Sequence, residues 1–174
     1  MIATIALVYP LRVEISDMVW EISQPSLPEA VGVNEEKITK TTDGAKDEED
    51  LPDEINLSVP FTPQAPHWDW ALPYQEFCEE AALYMVHAFY EWVPEGRIDA
   101  ETADAELLRI QRSEMELFGI YKDTEIAQVA RLAQKFYEHS AVTVVENPTI
   151  EDLKYYLSTQ HPIIVPTAGR ELHN

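Results

Sequence analysis

Between Gln75 and Val93, apolar residues recur every three or four positions: Phe77, Ala81, Ala82, Met85, Phe89 and Trp92. That period matches the turn of an α-helix, so the segment is predicted to be helical, and Pro94-Glu95-Gly96 stops it. An apolar face of this kind has to be buried against other elements. The same region holds the chain's one cysteine, Cys78, where a proline-rich loop gives way to the periodic segment. Whether that thiol is a nucleophile or a small hydrophobe at a helix start is the functional question.

Further elements follow downstream. A second helix is expected from about Ala100 to Phe118, with Leu107, Leu108, Met115 and Leu117 on its apolar face. Asp123 or Thr124 can cap a third, running to about Glu138, with Ile126, Val129, Ala130, Ala133 and Phe136 facing inward. Thr149 and Asp152 resemble a capping box with Asp in place of Glu, opening a fourth helix over IEDLKYYLSTQ. AVTVVE (Ala141 to Glu146) and PIIVPT (Pro162 to Thr167) read as buried strands. Helices on one side and a sheet at the other make an α+β layout. Two strands alone do not form an independently stable sheet, so the domain is expected to be incomplete.

Three regions differ in character. Residues 57–174 form the folded part. Residues 24–56, rich in proline, acid and threonine, bury too little apolar surface to offset the entropy of ordering and read as an acidic flexible linker. Residues 1–23 open on MIATIALVYPL, too short to cross a bilayer as a helix and without the basic start or cleavage site of a signal peptide. That segment reads either as a strand or apolar terminus, or as the remnant of a membrane anchor. The formal charge of -20 opposes nucleic acid and anionic membranes, so neither is an expected partner except through such an anchor. A single cysteine rules out an intrachain disulfide and a cysteine-based zinc cluster.

A thiol with an ordinary pKa of roughly 8.5 becomes a good nucleophile only on ionisation. The first turn of a helix, where Cys78 is expected, favours the thiolate through its unsatisfied N–H groups. Glu79 and Glu80 oppose it by like charge. The chemistry therefore needs a cationic partner, normally an imidazolium, and a donor for the oxyanion.

The run VPFTPQAP, then a tryptophan, then CEEAALYMV resembles the C-39-like cysteine peptidases. These are a bacterial branch of the papain-like superfamily related to peptidases that process bacteriocin leaders. In that family a Pro-Phe-x-x-Gln-Ala-Pro segment precedes a Cys-Glu-Glu-Ala helix start. PTIEDLKYYLSTQHPIIVPTAGREL is similar to the family's later helix and strand, so the likeness spans about Ile55 to Asn174. It implies a papain-like cysteine peptidase fold, here as the helical part plus two sheet strands. It implies Cys78 as nucleophile and Gln64 as the oxyanion-hole glutamine, with Gln75 a rival closer to the cysteine. Trp68 and Trp70 either line a substrate groove or pin a loop onto the core. No metal or organic cofactor is implied.

The family's base is a histidine beyond the Gly-Arg-Glu-Leu-like segment, oriented by an Asp or Asn. None of the five histidines here matches it. His87 lies about 13 Å along the helix from Cys78. His139 suits a helix C-terminus, His161 precedes a proline, His173 is close to the last residue, and nothing would hold the ring of His67. The expectation is the N-terminal part of a bacterial cysteine peptidase that hydrolyses peptide bonds, truncated before its His and Asp and inactive alone. A non-catalytic papain-like module that binds peptide or cell-wall material is the alternative, and acyl transfer on the same fold a third. The implied partner is a peptide or protein substrate, and an envelope or extracellular placement suits the acidic linker.

Overall fold

A computed structural model of the chain describes residues 28–34, 51–139 and 142–167. Four α-helices follow one 3-10 turn, Tyr74–Glu76: α1 Cys78–Tyr90, α2 Ala100–Phe118, α3 Ile126–Phe136 and α4 Ile150–Ser158. None of these helices is long and apolar enough to cross a membrane. The apolar N-terminal segment, with the reading of it as an anchor remnant, lies outside the described residues.

The periodic segment forms the central helix, though its first turn is 3-10 and the α-helix proper begins at Cys78. α1 buries Ala81, Leu83, Tyr84 and Ala88 against Ile98, Leu107 and Ile110 beside α2 and against Val129, Leu132 and Ala133 of α3. Its other flank, Ala82, Met85 and Val86, packs on Val59 and Ile164. A helix enclosed on so much of its circumference is a core element rather than a surface amphipath. Asp99 caps α2 by accepting from Thr102 N–H at 3.0 Å, and Gly119 ends it at φ 73°, a left-handed turn suited to glycine. α4 opens with the expected capping box, the Asp152 carboxylate accepting from Thr149 N–H at 2.8 Å. For α3, by contrast, the cap is Glu125 rather than Asp123 or Thr124, and the Gln128 side chain accepts the Glu125 N–H at 2.8 Å.

The expected α+β architecture is not what forms. Among the described residues the chain is helical, with isolated bridges and no sheet. Residues 142–146 and 162–167 make no main-chain hydrogen bond to each other, and within them only Ile163 occupies an isolated bridge position. β-Branched composition describes fit to a pleated, half-buried surface, and it does not create a strand without a main-chain partner. The two segments instead line an apolar cavity of about 640 Å³ beside α3 and α4, with Leu83, Val129, Leu153 and Ile164 among its walls. The papain-like description as helices plus two sheet strands is corrected accordingly.

Part of the acidic region is also placed. Gln160, 1% exposed, donates through Nε2 to the Gly32 carbonyl at 2.7 Å, and its Oε1 accepts the Asn34 N–H. Val31 and Leu57 pair in a parallel bridge, so residues 28–34 lie alongside the start of the folded part.

The α2 face differs from expectation in one instructive way. Ala103, Leu107, Ile110 and Glu114 form its buried stripe, while Met115 is exposed. Glu114 is fully enclosed and faces Glu80 of α1, itself 1% exposed. Among the described residues no donor reaches their four carboxyl oxygens. Two carboxyl groups enclosed side by side without a donor repel each other when both are charged, so the arrangement favours a proton on the pair. Removal from water is the largest cause pushing both pKa values up. The Glu114 charge reinforces it for Glu80, and the interaction with Glu80 partly offsets it for Glu114.

A carboxyl raised in the folded state keeps a proton that the unfolded chain has released, so its contribution to stability falls as pH rises above the ordinary carboxylate range. Burial of His87, His139 and His161 lowers their pKa values and acts in the opposite sense, so a variant comparison isolates the pair. Urea unfolding of the wild type and Glu80→Gln between pH 5 and pH 8 should show the difference moving in favour of the variant by roughly 1–3 kcal/mol. A difference that is flat with pH would mean that no shared proton is present.

Candidate active site

Cys78 is the first residue of α1 and is exposed, although the helix behind it is the most enclosed element of the fold. Its backbone N–H belongs to the helix's first turn, where donors lack intrahelical acceptors. The thiol donates to Gln64 Oε1 at 2.9 Å across 14 residues of chain.

Gln64 is held by the loop on which it sits. Phe61 N–H donates to the Gly96 carbonyl and Ile98 N–H to the Phe61 carbonyl, each at 2.8 Å, fixing the loop start to the α1–α2 connection. Thr62, Gln64 and Ala65 are buried. The Gln64 Nε2 donates to the Tyr74 carbonyl at 2.9 Å, which turns Oε1 toward the sulfur. Tyr74 is anchored in turn, its hydroxyl donating to Asp104 Oδ1 of α2 at 2.6 Å. That bond, followed by burial, pushes the Tyr74 phenol up to about 12. A continuous relay therefore runs from α2 through Tyr74 and Gln64 to the thiol. Tyr74 and Asp104 were not singled out in the sequence, because a carbonyl's acceptor role carries no residue signature.

The rival glutamine is elsewhere: Gln75 is exposed and its amide donates to Glu76 Oε1 at 3.1 Å. Of the acids that follow the cysteine, Glu80 turns into the core beside Glu114, where burial raises its pKa and so disfavours a charge there. Glu79 stays beside it, with its carboxyl pushed upward by burial first and by Asp123 and Glu76 after.

The loop beyond Gln64 presents apolar surface. Ala65 and Trp68 close a turn, Trp68 N–H donating at 2.9 Å. Trp68 then sits at φ 63°, a left-handed conformation uncommon for a bulky residue, with 63% of its surface exposed. The Arg97 guanidinium lies 5.1 Å from its ring centroid, a cation–π distance. Trp70 and Leu72 are exposed as well, at 44% and 53%, so these tryptophans do not pin the loop into the core.

The described histidines are engaged away from the thiol. His67 Nε2 lies 3.8 Å from Glu101. His161 is buried with Nδ1 at 3.1 Å from the Thr159 hydroxyl. His87 and His139 meet each other on the far part of α1, and His173 lies outside the described residues. Among the described residues no group of three or more His, Cys, Asp or Glu forms a metal cluster. Comparisons with family models, with curated proteins and with solved structures return no match for this chain.

The relay generates a pH-dependent prediction. In Gln64→Glu a protonated carboxyl can still donate to the Tyr74 carbonyl, whereas an ionised one confronts it. The variant should lose roughly 1–3 kcal/mol relative to wild type at pH 8 and clearly less at pH 5, read by thermal or urea unfolding. Equal losses at both values would mean that the Tyr74 contact carries no weight.

Proposed function

We propose that this chain carries the nucleophile and oxyanion groups of a thiol-dependent peptidase resembling the C-39-like cysteine peptidases. The observation that supports it best is the exposed Cys78 at the first position of a buried helix, with its sulfur 2.9 Å from the Gln64 side-chain amide. A cysteine serving only as a small hydrophobe would be enclosed.

In this reading the Cys78 thiolate attacks a peptide carbonyl carbon, and the C–O π electrons move onto oxygen. Gln64 turns its amide so that an N–H, together with the Cys78 backbone N–H, steadies that oxyanion. Collapse expels the amine, which takes its proton from an imidazolium, and leaves a thioester that water hydrolyses. The four described histidines are engaged elsewhere, so the base is an imidazole other than these. Trp68, Trp70 and Leu72 form an exposed apolar lip on the loop that carries Gln64 and would bind the substrate's side chains.

The second reading, a non-catalytic peptide-binding module, is favoured by the same exposed lip. A peptide-bearing electrophile, an acyloxymethyl ketone, separates the two when compared with iodoacetamide on the full chain. A peptidase site should direct the peptidyl probe to Cys78 at least about tenfold faster than a matched non-peptidyl ketone, and Gln64→Ala should slow it roughly tenfold or more. Equal rates for the two ketones would sink the peptidase reading. Saturable peptide binding that survives Cys78→Ser without any covalent product would favour the binding module.

A further inference from the structure

The far part of α1 carries a second cluster of chemistry-bearing side chains, unrelated to Cys78. Glu138 adopts φ 54°, a left-handed turn just after α3, and His139 follows it, donating its N–H to the Ala133 carbonyl at 3.2 Å. This folds the His139 ring onto α1. It lies 5.4 Å from the His87 ring, centroid to centroid, at 61°, and 5.8 Å from the Tyr90 ring. Tyr137 backs the cluster, stacked on His87 at 3.7 Å, and its hydroxyl is tied to Glu106 of α2 at 2.7 Å.

Three polar atoms here are shut off from solvent and have no hydrogen-bond partner among the described residues: His87 Nδ1, His139 Nε2 and the Tyr90 hydroxyl. Buried polar atoms are ordinarily satisfied, and three orphans among rings in mutual contact ask for a shared ligand. Two of them are imidazole nitrogens, the donor type that zinc, copper and nickel accept. The spacing agrees with such an ion. A metal–nitrogen bond of about 2.0–2.1 Å with a tetrahedral angle at the metal sets two imidazole centroids about 5.2 Å apart. The observed 5.4 Å accommodates that spacing, as it does an edge-to-face ring contact, so the orphaned nitrogens carry the assignment.

We infer that His87 and His139 form a binding site for a first-row transition-metal ion of the zinc class, with the Tyr90 hydroxyl beside it. No third histidine, cysteine or carboxylate joins the pair among the described residues, so solvent or Tyr90 fills the remaining positions. The ion would tie the loop after α3 to α1, making it a structural clasp rather than a catalytic centre. It is independent of the thiol chemistry.

Titration of the full chain with zinc(II) tests this. One equivalent should bind, and a hundredfold excess over the dissociation constant should raise the unfolding temperature by about 5–10 °C. His87→Phe and His139→Phe should each weaken binding at least about tenfold, while Cys78→Ser and His67→Phe leave it unchanged. Absence of bound zinc, or undiminished binding in His139→Phe, overturns the site. Should either variant fail to fold, imidazole nitrogen NMR of the wild type decides. Zinc must shift the His87 and His139 signals, and shifts confined to other histidines overturn the site equally.

Discussion

The enclosed pair of acids, Glu80 and Glu114, is the constraint on which the central place of α1 in this fold depends. The helix is enclosed by α2 and α3 on one side and by Val59 and Ile164 on the other. A carboxylate in that setting would carry a desolvation cost of several kcal/mol. With one of them protonated, the two groups would satisfy each other where no described residue offers a donor. Burial of α1 then leaves its first residue at the boundary between core and solvent. Cys78 is exposed because the helix begins there, and the helix stays in place because its buried acid is neutralised.

The second support is directional. Asp104 holds the Tyr74 hydroxyl, the Tyr74 carbonyl orients the Gln64 amide, and Gln64 meets the sulfur. Every member of this relay sits on an element fixed by other contacts: α2, the 3-10 turn, and the loop paired to the α1–α2 connection. The relay fixes the Gln64 side chain beside the sulfur, and in the proposed reaction a rotation of its amide, at the cost of the Tyr74 contact, would bring an N–H toward the oxyanion.

Much of this was legible in the sequence, and the exceptions share a cause. The three- and four-residue spacing marked α1, α2 and α3, and the Thr149–Asp152 capping pattern marked α4, because those signals are local. Gln64 and Cys78 were paired through a motif rather than through spacing. The spacing 103, 107, 110, 114 on α2 was present, but Glu114 was not singled out, since its partner lies 34 positions away on another helix. The expected strands erred in the same direction: Ala141 to Glu146 and Pro162 to Thr167 have strand composition, yet among the described residues they form no ladder with each other, and composition alone does not choose a main-chain partner. His139 was assigned to a helix end, and only the left-handed turn at Glu138 reveals that it folds back onto His87. Long-range pairing is the information a local pattern lacks.

The shared proton is open to direct observation by infrared difference spectroscopy, in which a protonated carboxyl gives a carbonyl stretch distinct from that of a carboxylate. In the folded wild type at pH 7 a protonated-carboxyl band should be present, and Glu80→Gln should remove it. A folded protein whose carboxyl groups are all ionised at pH 7 would contradict the pairing of Glu80 with Glu114, and with it the reason that α1 can carry an acid into the core.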